Sequence, residues 1–302
     1  MNDKITIRRL DDMHCHFRTG SLLKEVLPFT AQYASRGIAM PNTRPRAILT
    51  GDDVVWYRDE IKHALDEMPN RYPFEPLMTV EVRDSTTPQM IVEAYRAGAV
   101  AGKVYPLGVT TNSDEGLRDF DSEKISETFL AIQDVGMLLL IHGELDRERT
   151  LVTKREEVFL PTFLKLAEKF PNLKIVLEHV STRIAVESVR QLGRNVAATS
   201  GDPKFFLGSD TAPHPRERKE CAKGACGVYT APVLPQVLAE VFEKAGCLDR
   251  LENFVSRFGA EFYGLPLNDG TITLTKTEWV VPEQFGSVVP FRAGAKLQWQ
   301  LA

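Results

Sequence analysis

Two histidines one residue apart, His14 and His16, close an apolar-polar run that begins at Ile5, and Arg18 follows. In a β-strand, residues two apart project from the same face. Both imidazoles then aim at one point while Cys15 turns the other way, which supplies half of a metal site. Asp12 shares their parity and could orient a ligand from behind. The competing reading is a chance pair of surface histidines, so the rest of the chain must decide.

Two further residue types extend the chemistry. Lys103 sits in an otherwise apolar run, Ala99 to Tyr105. A buried lysine pays heavy desolvation and tends to lose its charge. A neutral amine can react with CO2, and the resulting carbamate is an anionic ligand able to bridge two metals. The plainer alternative is a lysine reaching solvent from a strand end. Asp210 follows Gly208-Ser209. A carboxylate beside a metal-bound water can take its proton as that water attacks, so the chemistry is metal-assisted hydrolysis. Its alternative role is a helix N-cap before Thr211-Ala212-Pro213.

The elements that must position these residues alternate along the chain. Strand patterns are expected over 5–16, 37–42, 76–83, 99–105, 137–142, 174–179 and 205–210, with a weaker one over 196–199. Helical patterns fall over 22–35, 52–68, 87–97, 122–135, 157–170, 182–192, 232–245 and 248–263. Strands alternating with helices mean βαβ units and a parallel sheet. About eight of them predict an α/β fold, a (β/α)8 barrel of the TIM type. The stretch from about 265 to 302 alternates in short runs and reads as a small β appendage on one domain spanning 1–302.

In such a barrel the C-terminal strand ends converge on the active site. His14, His16, His142, His179 and His214 all fall at or just beyond expected strand ends. Only His63 lies in a helical pattern, on a charged stretch, and reads as solvated surface. That coincidence favours a site over scatter.

Composition narrows the function classes. The 302 residues carry a net charge of −4, so no basic footprint points to nucleic acid. The longest apolar run, Gly136 to Ile141, is far too short to cross a membrane. No signal peptide is expected from Met1-Asn2-Asp3-Lys4. Cys15, Cys221, Cys226 and Cys247 do not form a disulfide framework and suit free thiols in a reducing cytoplasm.

Taken together, six motifs resemble dihydroorotase, in its compact bacterial form within the amidohydrolase superfamily. They are Asp12-Met13-His14-Cys15-His16-Phe17-Arg18, Met40-Pro41-Asn42-Thr43, Gly102-Lys103-Val104-Tyr105-Pro106, Ile141-His142-Gly143-Glu144, Glu178-His179-Val180-Ser181-Thr182 and Gly208-Ser209-Asp210-Thr211-Ala212-Pro213-His214. The likeness continues through Glu261-Phe262-Tyr263-Gly264-Leu265-Pro266 and Val289-Pro290-Phe291-Arg292-Ala293-Gly294. The resemblance implies a binuclear zinc centre, two zinc ions per chain, with a bridging hydroxide. It assigns His14 and His16 to the more buried metal and His142 and His179 to the other. Lys103, as N6-carboxylysine, bridges them, and Asp210 binds metal and shuttles the proton. Arg18, Asn42 and His214 would grip the substrate carboxylate, with His214 cationic or donating. Thr110 and Thr111 would close over the substrate from a mobile loop. Backbone groups near Cys226 would meet the pyrimidine edge. The implied reaction is the reversible cyclisation of N-carbamoyl-L-aspartate to L-dihydroorotate in pyrimidine synthesis, by a cytoplasmic homodimer acting on a small molecule, with no nucleic-acid or membrane partner.

One stretch departs from the pattern. Only 30 residues separate His179 from Asp210. Parallel neighbours need a crossover of about a dozen residues or more, and Ser200 to Lys204 are five. Family members carry roughly forty more residues here, enough for a βα unit of on the order of 30 residues. Three explanations stand: 196–199 extends the preceding helix; the seventh βα unit is deleted and the pocket weakened; or the written chain omits residues between Asn195 and Lys204. An inactive metal-binding homologue is therefore one alternative. Another cyclic amidohydrolase, hydantoinase-like or allantoinase-like, is a second, opposed by the carboxylate grip of Arg18, Asn42 and His214.

Overall fold

A run with no polar face must be covered on both sides. Leu138, Leu139, Leu140 and Ile141 are such a run, and all four are buried. The computed structural model describes residues 3–147, 150–198, 204–222 and 224–302. Its strands are β1 (Lys4–Arg8), β2 (Leu10–Cys15), β3 (Ala34–Ala39), β4 (Glu75–Val82), β5 (Ala99–Val104), β6 (Leu138–His142), β7 (Ile175–Glu178), β8 (Val196–Ala198), β9 (Thr271–Thr275), β10 (Trp279–Val280), β11 (Lys296–Leu297) and β12 (Gln300–Leu301). The α-helices are α1 (Gly20–Ala31), α2 (Gly51–Asp66), α3 (Pro88–Arg96), α4 (Glu123–Asp134), α5 (Arg155–Lys169), α6 (Arg183–Gln191), α7 (Arg216–Lys219), α8 (Leu234–Lys244) and α9 (Phe258–Tyr263).

The chain divides into two compact units. One comprises Ala39–Glu60 and Leu77–Phe205. Here β4, β5, β6, β7 and β8 pair in parallel, each with the next in sequence. Register places Lys103 between Glu81 on β4 and Leu140 on β6. The helices between them start where side chains can accept the first free backbone N–H groups. Thr87, Ser122 and Thr182 cap α3, α4 and α6 in this way.

The other unit comprises Met1–Ile38, Ile61–Pro76 and Phe206–Ala302. It holds β2 beside β3, and a separate antiparallel sheet in the order β1-β9-β12. The expected strand over 5–16 is thus two strands in two sheets. The switch occurs at Arg9, whose N–H donates to Gly270 O at 2.8 Å while Leu10 N–H donates to Tyr33 O at 3.1 Å. The Arg9 guanidinium caps the end of α1 by donating to the carbonyls of Ala31 (2.5 Å) and Gln32 (3.1 Å), and it also reaches Ala34 O (2.8 Å). This is also why the helix expected to 35 stops at Ala31. An ion pair also ties the unit together: Arg36 donates to both carboxylate oxygens of Asp11, at 3.0 and 2.5 Å, and to Pro266 O at 2.9 Å.

The expected helix over 248–263 is interrupted. A 3-10 turn (Leu248–Arg250) and a π-helical stretch (Asn253–Arg257) precede α9. Ser256, inside the π stretch, donates its hydroxyl to Arg8 O at 3.2 Å and Arg9 O at 2.9 Å.

The expected strand over 205–210 is not regular. Phe205 forms an isolated parallel bridge to Ala198, and Thr211 one to Cys15. Met13 N–H donates to Leu207 O at 3.1 Å, so the segment still runs beside β2. Regular pairing fails where Asp210 takes a left-handed φ of 46°. Val196–Ala198 is a strand paired with β7, which overturns the idea that it extends the helix before it. The Lys204 ammonium crowns the last turn of α6, donating to Val189 O (3.0 Å), Gly193 O (3.2 Å) and Leu192 O. The choice between a deletion and omitted residues turns on 199–203, which lie outside the described residues.

Candidate metal centre

The parity argument from β2 holds in three dimensions. The rings of His14 and His16 lie 5.2 Å apart, and their Nε2 atoms 3.3 Å apart. Asp210 joins them: its Oδ1 is 3.4 Å from His14 Nε2 and 3.1 Å from His16 Nε2. A tetrahedral divalent ion with bonds of about 2.0–2.1 Å separates its ligand atoms by roughly 3.3 Å. The three spacings match the edges of such a tetrahedron, and all three atoms belong to types that bind zinc-like ions. The residues present therefore fit a metal.

Asp210 reaches this point through strain. Its φ of 46° is one that non-glycine residues take up rarely, and Arg18 (64°) and His179 (60°) share the same region. Outliers of this kind cluster where a site over-determines its backbone. Asp210 does not cap a helix, because α7 begins only at Arg216 behind Pro215. Asp12 behaves differently from the expectation too. Its Oδ1 accepts from the backbone N–H groups of Ser209 (2.9 Å) and His14 (3.3 Å). Asp12 therefore sets the backbone on both sides of the cluster rather than orienting an imidazole. Burial pushes its carboxyl pKa up, against those hydrogen bonds.

Arg18 and His214 form a second feature of this unit. The Arg18 guanidinium donates to Pro213 O at 3.0 Å and contacts His214 Nε2 at 2.9 Å. Burial, then the neighbouring Arg18 charge, lowers the His214 pKa from 6.5 to about 4, while a hydrogen bond with the Cys226 backbone pulls the other way. His214 is therefore neutral at neutral pH and accepts from Arg18, so its expected cationic form is corrected. Cys226 is exposed.

In the other unit, Lys103 is completely buried, so it does not reach solvent from the strand end. Its ammonium contacts the Glu178 carboxylate, also buried, and stands 4.6 Å from the centre of the Tyr105 ring. His142 and His179 bring their rings within 4.5 Å of each other. Glu178 was missed as a partner, yet its signal was legible. It is a charged residue in an apolar strand, the same signature that singled out Lys103. Asn42 donates its side-chain amide to Thr111 O at 3.2 Å, and Asn112 returns a bond to Asn42 O at 2.9 Å. Thr110 N–H donates to Ser113 Oγ at 3.0 Å. Asn42 thus anchors the loop that carries both threonines. His63 is solvated, as expected, with its side chain 70% exposed.

No family model matches the chain. The dihydroorotase of Shewanella frigidimarina is 39% identical to it over 346 residues, covering 99% of each chain. The structure of dihydroorotase from Saccharomyces cerevisiae in complex with 5-fluoroorotic acid superposes with a TM-score of 0.90 at 30% identity, covering 100% of this chain and 99% of that one. The chain belongs to the dihydroorotase family. Its fold is the (β/α)8-type barrel of metal-dependent amidohydrolases, with seven regular strands among the described residues. A D-hydantoinase structure shares that fold alone, with a TM-score of 0.73 at 12% identity over 99% of this chain and 83% of that one. Family and fold imply a metal cofactor, which the His14–His16–Asp210 geometry fits. The alignment to the Shewanella enzyme runs over 346 residues, against 302 in this chain. No helix is long and apolar enough to cross a membrane among the described residues.

Proposed function

We propose that this chain is an enzyme for the reversible cyclisation of N-carbamoyl-L-aspartate to L-dihydroorotate. The observation that carries the reading is near-full-length identity to proteins named dihydroorotase. His14, His16, His142, His179 and Asp210 would hold zinc, two ions per chain by the family resemblance, with Lys103 as its carbamate a further ligand. Neutral Nζ forms the N–C bond to CO2 and sheds one proton, which turns a buried neutral amine into an anionic ligand; an ammonium would first have to lose a proton of its own. Zinc held there would supply a Lewis acid and a water of lowered pKa.

The chain's own groups do the rest. Arg18 offers its fork of donors to the substrate carboxylate. Neutral His214 and Pro213 O hold that fork in place. Asn42 adds an amide donor, and Thr110 and Thr111 cover the substrate from the loop that Asn42 anchors. Asp210 takes the proton of the attacking water during hydrolysis and passes it to the leaving nitrogen. In the cyclising direction, protonated Asp210 assists loss of water. The four cysteines are free, which suits a cytoplasmic enzyme, and the family resemblance suggests a homodimer.

The test is a substrate panel with zinc-loaded protein. Hydrolysis of L-dihydroorotate should far exceed that of hydantoin or allantoin, which lack the carboxylate. Equal rates on all three would refute the substrate assignment. The shortened chain supports a second reading, a metal-binding homologue without turnover. About two zinc ions per chain with no cyclisation would decide for it.

A further inference from the structure

We propose that Glu156 is a positioning residue for the metal ligand His179, an inference that rests on the ligand role assigned above. His179 immediately follows β7 and takes a φ of 60°, which turns the chain sharply away from the strand. Val180, Ser181 and Thr182 then lead into α6. A backbone that non-glycine residues rarely adopt must be held by its surroundings.

Glu156 does this from the first turn of α5. It is 5% exposed. Its Oε2 accepts from Ser181 N–H at 2.9 Å, Ser181 Oγ–H at 2.5 Å and Thr182 N–H at 3.2 Å. Its Oε1 accepts from Thr182 Oγ–H at 3.1 Å. One buried carboxylate therefore gathers both backbone N–H groups and both hydroxyls of the two residues that close the His179 turn. Thr182 in turn accepts from Ala185 N–H at 3.3 Å as the N-cap of α6. Neighbouring Arg155 is tied down in the same place, donating to Asp146 at 2.5 Å.

A buried carboxylate accepting this many donors is more than a helix cap. Capping α6 requires only Thr182, which already supplies it. The two bonds to Ser181 act one residue closer to His179, on the turn itself. Groups behind a metal ligand commonly change metal affinity by about 10–100-fold when removed.

The experiment follows release of cobalt(II) from loaded protein to a chelator, by the loss of its visible absorption. Wild type is compared with Glu156→Gln, Glu156→Asp, His179→Ala and Thr87→Ala. Thr87→Ala removes the cap of α3 and lowers stability without touching the turn. The expected result is release about 10–100-fold faster in Glu156→Gln, with partial rescue in Glu156→Asp, an altered cobalt spectrum, and wild-type release in Thr87→Ala. If Glu156→Gln does not fold, Glu156→Asp alone carries the comparison. Release and spectrum as in wild type in the folded Glu156 variants would overturn the positioning role while His179→Ala still loses metal faster. Wild-type release in His179→Ala would instead remove the ligand assignment, and the proposal with it.

Discussion

Asp210 shows why a residue's type predicts less than its surroundings. As a residue it could cap a helix, bind a metal or move a proton. It caps no helix, since α7 begins only at Arg216, and its left-handed φ and 3.1–3.4 Å approach to two imidazoles suit the last two roles. His214 makes the same point about charge. Its pKa falls from 6.5 to about 4 because it is buried beside Arg18. Well above pH 6.5 it is neutral in both folded and unfolded chains. Between pH 6.5 and about 4, the unfolded chain takes up a proton that the folded chain refuses, so acidification lowers stability in that window. His214→Gln should flatten that part of the unfolding free energy measured against pH. An unchanged profile would show that His214 is not the group held neutral. The candidate site residues stand out in the sequence because histidines at strand ends and a lysine in an apolar strand are conspicuous. Asp12 does bond the candidate ligand His14, but through its backbone N–H, which parity alone does not distinguish from a bond to the ring.

At the scale of elements, the strand ends were readable because apolar runs and punctuating glycines mark them locally. The breaks were not, because their causes lie far along the chain. Arg9 splits the first strand by reaching α1 and Gly270, and Ser256 distorts the helix before α9 by bonding Arg8 and Arg9. No local pattern encodes either contact. The pairing of Arg36 on β3 with Asp11 on β2 is of the same kind. Both side chains are nearly inaccessible, and Arg36 also fastens Pro266. Removing one partner of a buried pair leaves an uncompensated charge and costs about 3–5 kcal/mol. Arg36→Leu should lose about that much in chemical denaturation. A loss below about 1 kcal/mol would mean that the pair is replaceable by packing, which is known for some buried ion pairs when both partners change.

At the scale of the whole molecule, the family's barrel is legible from the alternation of strands and helices, and its abbreviation from the spacing of His179 and Asp210. Both follow from counting residues between chemical landmarks. Assembly leaves no such mark in sequence. The proposed homodimer predicts a solution mass of twice 33.9 kDa, and a species of 33.9 kDa alone would exclude it. The proposed activity requires metal bound at the strand-end ligands. Crystals grown with zinc, measured at the zinc absorption edge, test it most directly. Anomalous peaks are expected about 2.0–2.1 Å from His14 and His16 Nε2 and at His142 and His179, with planar carbamate density on Lys103 Nζ. A bare Lys103 amine still seated against Glu178, with no peak at His14 and His16, would contradict it.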